Sequence, residues 1–163
     1  MPNWGNKGLK RYEDKFFVSG IGRVSFSVQY HDLAALARLP EAELAQPVRQ
    51  SASGLSYRIR SNAPYRSGDL RRGIILAPTA ERTAVPGKVV FDITFDAGMN
   101  DTFVKMTKAG KRYYYPASQE YGFRIGRARR HPGLYYMRDA SVEFFPQHRQ
   151  AIVDGVNKIL EEL

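Results

Sequence analysis

The chain has 163 residues, of which 43% are hydrophobic and 25% charged, as is typical of one soluble globular domain. Its 25 Lys and Arg against 16 Asp and Glu give a net charge of +9, which favours an anionic partner such as nucleic acid, an acidic protein surface or a membrane face. The absence of cysteine excludes disulfides, thiolate metal sites and thiol nucleophiles.

The N-terminal segment is predicted to be an arm over residues 1–20, because its first fifteen residues lack periodicity and carry glycines and basic residues. Trp4, the only tryptophan, either grips a neighbouring molecule or packs on its own domain. No signal peptide is visible, and no apolar run approaches the roughly 20 residues of a membrane span. We therefore expect a cytoplasmic protein with no membrane partner.

The first half of the domain is predicted to contain one strand and two helices. Alternating apolar residues predict a strand over residues 23–30. Asp32 precedes a short helix over residues 33–37. A longer helix is predicted from Glu41 to about Asn62, where Pro64 stops it. Its apolar stripe consists of Leu44, Val48, Ala52, Leu55 and Ile59.

The second half is predicted to alternate short strands with helices. In order, we expect a turn at Arg66–Asp69, a strand through Ile74–Leu76, a loop over Pro78–Gly87, a strand over Lys88–Asp96, a hairpin over Thr102–Tyr115, a helical turn at Ala117–Glu120, a basic loop over Gly122–Gly133 and a C-terminal helix that Pro146 kinks or splits. The fold class is α+β. We expect a single domain over residues 21–163, with a mostly antiparallel sheet of about four to five strands against a long central helix and the C-terminal helix.

The sequence lacks a recognisable catalytic constellation. His31, His131 and His148 are far apart and form no two-histidine metal spacing. Asp92 and Asp96 share a strand face but stand roughly 13 Å apart, so a solvated face is the better interpretation. No dinucleotide loop, P-loop or nucleophile elbow occurs. The prediction is a protein that is not an enzyme and holds no cofactor or metal.

Two features suggest interactions. The segment from Arg124 to Arg130 holds four arginines in seven residues, namely Arg124, Arg127, Arg129 and Arg130. Arginine forks suit phosphate oxygens, so this loop contacts DNA or an acidic partner, or else is simply solvated. The run Tyr113–Tyr115 would expose at least one tyrosine on each strand face, which indicates either an interface or core packing.

Three blocks in chain order resemble a known family. Residues 63–74 contain Pro64, Gly68 and Leu70 in a helix-stop and turn pattern, and residues 115–122 contain Glu120 and Gly122. Residues 132–140 lead through Arg138 into the last helix. This order is similar to that of the neck or tail-completion proteins of long-tailed bacteriophages, over residues 32–163. Gly73 stands where that family usually has serine, Asp139 stands where it often has proline, and the first thirty residues do not match.

The resemblance implies a structural virion protein that forms a homo-oligomeric ring at the head–tail junction, after assembly in the host cytoplasm. The ring would be sixfold, or twelvefold near the portal, between a head-closure or connector protein and a tail terminator or tail-tube protein. Subunit contacts are expected at the arm with Trp4 and at the hairpin with Phe103, Tyr113 and Tyr114. The arginine loop would face packaged DNA in the channel, without sequence specificity, or a partner ring.

Three further expectations concern one pair of residues and two rival functions. Glu120 and Arg138 are predicted either to form an ion pair that ties the short helix to the last one or to be solvated. A rival function is a free basic DNA- or RNA-binding protein, which the net charge and the arginine loop favour. A nuclease is disfavoured. Its metal-dependent cleavage would need Asp92 or Asp96, and these two carboxylates are too far apart to share a metal ion.

Overall fold

A computed structural model describes the backbone of residues 12–19, 23–30, 41–78, 88–125 and 129–161. The elements are β1 (Tyr12–Ser19), β2 (Arg23–Tyr30), α1 (Glu41–Asn62), α2 (Asp69–Gly73), β3 (Ile74–Pro78), β4 (Lys88–Phe95), a 3₁₀ turn (Ala97–Met99), α3 (Asn100–Phe103), β5 (Val104–Met106), β6 (Arg112–Tyr114), α4 (Tyr115–Tyr121), β7 (Gly122–Ile125), β8 (Arg129–Pro132) and α5 (Tyr136–Glu161). The predicted helix over residues 33–37 and most of the predicted loop at 78–87 lie outside these ranges.

Four of the described strands form one antiparallel sheet in the order β1-β2-β4-β3. Strand β2 has the predicted bounds and pairs with β1 along its whole length, from Tyr12↔Tyr30 to Ser19↔Arg23. It also pairs with β4, and β4 pairs with β3. The predicted arm is therefore wrong for residues 12–19, which form the outer strand of this sheet. Residues 1–11 lie outside the described part.

Helix α1 has the predicted bounds, Glu41–Asn62. It packs against β3 and β4 with the predicted apolar stripe, because Val48, Ala52, Leu55 and Ile59 are all fully buried. The side chain of Leu44, the first residue of that stripe, lies outside the described part. The burial of one face over the rest of the stripe is what anchors the helix to the sheet. This agreement follows from a stripe that repeats every three or four residues over more than three turns.

Helix α5 lies antiparallel to α1. Ser51 of α1 contacts His148 of α5. Arg58, which comes later in α1, contacts Glu143, which comes earlier in α5, so the two helices run in opposite directions. At the other end of the contact, Pro47 approaches Gly155 so closely that no side chain would fit there without a shift. Pro146 lies on the exposed side of a continuous helix, so the predicted split of this helix is wrong.

The core lies where α1, the sheet, α2, α3 and the first turn of α5 meet. Its largest aromatic group is a set of edge-to-face rings, with Phe95 and Phe103 centred 5.6 Å apart and Tyr114 packed at 6.0 Å from Phe103. The single mixed domain of helices and antiparallel strands is confirmed. No helix of the described residues is long and apolar enough to cross a membrane.

Strand β4 is covered on both faces near its centre. The adjacent residues Val89 and Val90 point to opposite faces, and both are buried. Asp92 shares the face of Val90 and is itself buried, so the predicted solvated face is wrong at this position. Asp96 lies beyond the strand, where its Oδ1 accepts a hydrogen bond from the backbone N–H of Gly98 at 2.8 Å.

Candidate interaction surface

Glu120 caps the N-terminus of α5 from a distance of 17 residues in the chain. Its carboxylate accepts hydrogen bonds from the backbone N–H groups of Met137 at 2.9 Å and of Arg138 at 3.1 Å. These donors belong to the first turn of the helix, where no carbonyl is available to them. The Glu120 side chain is fully buried. Burial raises the pKa of this carboxyl, and the two hydrogen bonds partly offset that effect.

Arg138 does not pair with Glu120 through its side chain. Its Nε donates to Asp139 at 2.8 Å, and its guanidinium lies over the ring of Tyr135, 3.9 Å from the ring centre. The predicted ion pair is therefore wrong, because Glu120 binds the backbone N–H of Arg138 and not its guanidinium. The alternative of two solvated residues is wrong for Glu120, which is buried. The link between the short helix and the last one is a carboxylate bound to backbone N–H groups.

Backbone contacts fasten the same junction. The N–H of Leu134 donates to the carbonyl of Gln119 at 2.8 Å, and that of Tyr135 donates to the carbonyl of Glu120 at 3.1 Å. Gly122 has a φ of +77°, and a Cβ added there would lie 2.2 Å from the carbonyl oxygen of His131. The chain thus leaves the domain at Gly122 and returns beside it at Gly133.

The segment between these glycines is a two-stranded hairpin and not the predicted irregular loop. Strands β7 and β8 pair antiparallel, with Arg124 directly opposite Arg130 and Phe123 opposite His131. The rings of Phe123 and His131 stack in parallel at 5.1 Å. Arg124, Arg129 and Arg130 are all exposed, whereas Arg127 lies outside the described residues. The structure therefore brings three of the four predicted arginines to one protruding ribbon.

The hairpin of β5 and β6 confirms the predicted hairpin, and its strands lie within the predicted range Thr102–Tyr115, whose first two residues and last residue are helical instead. Its side chains differ in their accessibility. Tyr113 is partly exposed at 39%, but Tyr114 is half-buried against Phe95 and Phe103. Phe103 is fully buried, so its predicted part in a subunit interface is wrong, because it offers no surface. Trp4 lies outside the described residues.

The turn after α1 combines a glycine hinge with two arginines that bind carbonyl oxygens. Gly68 has a φ of +81°, as the predicted turn requires, and Leu70 is buried beyond it. Arg71 donates to the carbonyl of Ala63 at 3.0 Å, directly after the end of α1 at Asn62. Arg60 donates to the carbonyl of Ile74 at 2.9 and 2.6 Å. These bonds fix the exit of α1 and the start of β3.

The described residues contain no cluster of three or more His, Asp or Glu side chains that could hold a metal ion. One pair resembles a nucleophile and its base, since Ser51 Oγ and His148 Nδ1 are 2.6 Å apart. Both residues are buried between α1 and α5, and burial lowers the pKa of His148 to about 4. This pair joins two helices, and its position away from solvent is unsuited to a substrate.

No family of proteins, curated protein or solved structure matches this chain.

Two features of the molecule escaped the sequence-based predictions. The Ser51–His148 pair had no sequence signal, because its members are 97 residues apart. The charge of the β5–β6 hairpin did have one. Four of the eleven residues between Val104 and Tyr114 are Lys or Arg and none is acidic, but the prediction for this segment rested on its tyrosines.

Proposed function

We propose that this protein is a structural component of a tailed bacteriophage, which forms a ring at the head–tail junction and helps to join the tail to the head. In this proposal the chain acts without catalysis or a cofactor, and its copies surround the channel through which DNA passes. Its partners are a head-closure or connector protein on one side and a tail terminator or tail-tube protein on the other.

The observation that carries the proposal is the contact between two of the three blocks that resemble neck and tail-completion proteins. The Glu120 carboxylate of the second block binds the backbone N–H groups of Met137 and Arg138 in the third. Such a contact is expected of blocks that determine one fold, and the chain between them folds back at Gly122 and Gly133 so that they meet. The first block agrees with this interpretation, since Pro64, Gly68 and Leu70 direct α1 into the sheet.

The described surface also suits a protein that acts through contacts. Five large apolar residues near α4 stay at least 39% exposed, namely Met106, Tyr113, Phe123, Ile125 and Leu134. Four of them lie on the two hairpins, which project from the ends of α4. Exposed apolar residues on projecting ribbons are typical of surfaces that make contacts in an assembly.

Deletion of the gene from its phage tests the function directly. We expect filled heads and finished tails to accumulate separately under the electron microscope, and infectivity to return when the wild-type gene is supplied in trans. Mass spectrometry of purified wild-type virions should detect the protein. The proposal fails if the deletion phage makes complete particles and the protein is absent from wild-type virions.

The number of copies in the virion tests the ring separately. Six copies of an 18.5 kDa chain have a mass of about 111 kDa, and the symmetry of the neck in averaged images of wild-type virions gives the copy number. A sixfold or twelvefold layer that disappears in the deletion phage supports the ring. A single copy per particle would contradict it.

The second candidate is a free basic nucleic-acid-binding protein, which the exposed Arg124, Arg129 and Arg130 favour. It predicts tight, salt-sensitive binding of nucleic acid by a monomer that never enters virions. Mass spectrometry of the virions separates the two functions, because only the first requires the protein in the finished particle.

A further inference from the structure

Nearly all of the net charge lies in two hairpins. The β5–β6 hairpin spans residues 104–114 and the β7–β8 hairpin spans residues 122–132, and each contains four Lys or Arg and no Asp or Glu. Together they carry eight of the net nine positive charges, because the charges of the other 17 basic residues are balanced by 16 acidic residues except for one. The basic residues that the structure describes are Lys105, Lys108, Lys111, Arg112, Arg124, Arg129 and Arg130, and the eighth, Arg127, lies outside the described residues.

This part of the chain has almost no local counter-charge. Between Val104 and Arg138 the only acidic residue is Glu120, which is fully buried and bound to the N-terminus of α5. Every basic side chain of the two hairpins that the structure describes is exposed. The segment itself therefore adds no exposed carboxylate to these cations. From outside it, Asp69 of α2 lies near Lys105, since the pKa of Asp69 is lowered by the hydrogen bond from Ser67 and, less strongly, by the charge of Lys105.

The pairing within the β7–β8 hairpin adds a second observation. Arg124 and Arg130 are directly opposite each other on the same face, and like charges in this position destabilise an antiparallel pair. No salt bridge to either of them occurs among the described residues. Arg130 Nη2 donates one long hydrogen bond, to the carbonyl of Tyr121 at 3.4 Å. An anion near the two arginines would offset their repulsion, and arginine forks bind phosphate oxygens.

The bases of the two hairpins lie near each other along the chain. Helix α4 alone separates them, and its seven residues span about 10 Å. Each hairpin is a narrow antiparallel ribbon, and a two-stranded ribbon fits the major groove of B-form DNA. Phosphates follow one another along a duplex, so adjacent ribbons can contact the same molecule.

We propose that the β5–β6 and β7–β8 hairpins form one surface that binds the phosphate backbone of duplex DNA. An acidic protein is the weaker alternative, since protein interfaces are depleted in lysine and three of the four cations on the first hairpin are lysines. A polyanion releases counterions to lysine and arginine alike. The packaged genome as the source of this DNA rests on the proposed function, but the surface itself does not.

Three charge-neutralised variants of the full chain test the surface. The first carries Lys105→Gln, Lys108→Gln and Lys111→Gln, and the second carries Arg124→Gln, Arg129→Gln and Arg130→Gln. The matched control carries Arg49→Gln, Arg149→Gln and Lys158→Gln. It loses the same charge from exposed positions on α1 and α5, and its two α5 positions lie roughly 20 and 33 Å along the helix from Tyr136.

Affinity for a 30-base-pair duplex of arbitrary sequence is measured by fluorescence anisotropy over a series of salt concentrations. We expect each hairpin variant to weaken binding at least about tenfold at 0.1 M salt and to flatten the salt slope by about 0.9 for each phosphate that the variant no longer neutralises. The control should stay within about threefold of the wild type. Circular dichroism and thermal unfolding of each variant establish that its fold is retained.

Four outcomes overturn the inference. They are no duplex binding by the wild type, an equal loss of affinity in the control, a loss of affinity confined to one hairpin, and tighter binding of single-stranded DNA or RNA than of the duplex. Failure of the proposed function looks different, because a protein absent from virions could still bind duplex through both hairpins. Conversely, a protein present in the neck that fails this assay retains its function and loses only this surface.

Discussion

Glu120 is the residue on which the junction of α4 and α5 depends. Its replacement by alanine would leave two buried N–H groups of α5 without an acceptor, so Glu120→Ala should lower the free energy of unfolding by about 2–4 kcal/mol. Glu120→Gln keeps one acceptor oxygen at the same distance and should lose about half of that. Urea unfolding at neutral pH measures both.

The matched control for these variants is Glu143→Gln. Glu143 is an acid that pairs with Arg58 at 3.0 Å, but both side chains are more than half exposed. Such pairs contribute little, so this variant should stay within about 0.5 kcal/mol of the wild type. Equal losses for Glu120→Ala and Glu143→Gln would mean that the buried carboxylate does not stabilise α5.

His148 should make stability depend on pH. Burial lowers its pKa in the folded protein to about 4, whereas an unfolded histidine titrates near 6.5. The unfolded chain therefore binds more protons between these values, so the contribution is complete above pH 6.5 and is lost as the pH falls towards 4. We expect the free energy of unfolding to fall by about 2 kcal/mol from this group between pH 7 and pH 5.

The control for the pH effect is His148→Gln, which removes the titrating group and keeps a side chain that can hydrogen-bond Ser51. Its unfolding free energy, measured by urea at the same two pH values, should lose about 2 kcal/mol less than that of the wild type. Glu120 acts in the opposite direction, because its raised pKa favours the folded state as the pH falls. An equal pH dependence in the wild type and in His148→Gln would contradict the assignment.

At the scale of elements, the β7–β8 hairpin depends on the space at Gly122. Gly122 and Gly110 both have positive φ, at +77° and +74°, so alanine at Gly110 costs about 1 kcal/mol of backbone strain. The strain is larger at Gly122, because its ψ of −178° lies in a region that essentially only glycine adopts. Only at Gly122 would the new Cβ collide with backbone, at 2.2 Å from the His131 oxygen, whereas nothing lies within 4 Å at Gly110.

We therefore expect Gly122→Ala to lose at least about 3 kcal/mol of unfolding free energy and Gly110→Ala about 1 kcal/mol. Urea unfolding gives these values. Trypsin adds a local readout, because a displaced hairpin should be cut faster at its arginines in Gly122→Ala than in Gly110→Ala. Similar cleavage and similar stability in the two variants would show that the chain does not pass so closely at this point.

The elements that the sequence predicted well are those whose signal is local and repeated. Helix α1 and strand β2 have their predicted bounds because a stripe of three- and four-residue spacings and a strict alternation leave little choice. Strand β1 was missed because its first residues lack alternation, and its strand conformation depends on pairing with β2. The β7–β8 hairpin was missed because its composition of arginine and glycine resembles that of a loop.

The candidate surface was predictable in its charges and not in its contacts. A count of basic residues identified the arginine ribbon, and the same count applied to residues 104–114 would have identified the second ribbon. The partner of Glu120 was not predictable, because an ion pair with Arg138 and a cap on the Arg138 backbone differ only in geometry. Phe103 and Tyr113 are both aromatic residues at one hairpin, and only the fold distinguishes the buried ring from the exposed one.

At the scale of the whole molecule, the fold separates two tasks. Helices α1 and α5 and the sheet hold most of the buried residues, while the two hairpins hold nearly all of the net charge and four of the eight exposed large apolar side chains among the described residues. A protein with this division can change its hairpins without loss of its core. Whether β1 belongs to the core or to the contact-making part decides where the domain begins.

Two truncations answer that question. Removal of residues 1–22 would take away β1, which pairs with β2 at all eight positions and leaves the edge of β2 open when it is absent. We expect this variant to lose at least about 3 kcal/mol of unfolding free energy, a fall in Tm of roughly 6–12 °C for a chain of this size. Removal of residues 1–11 retains every described strand, so the difference between the two truncated proteins gives the contribution of β1.

Thermal unfolding of the two truncated proteins beside the full chain gives the comparison, and the shorter truncation is the control for the longer one. The shorter truncation also removes Trp4, so in the phage it should reduce incorporation into virions if the arm grips a neighbouring subunit. If the protein without residues 1–22 melts with the full chain, β1 contributes nothing to the sheet, and the predicted arm of residues 1–20 was the better description.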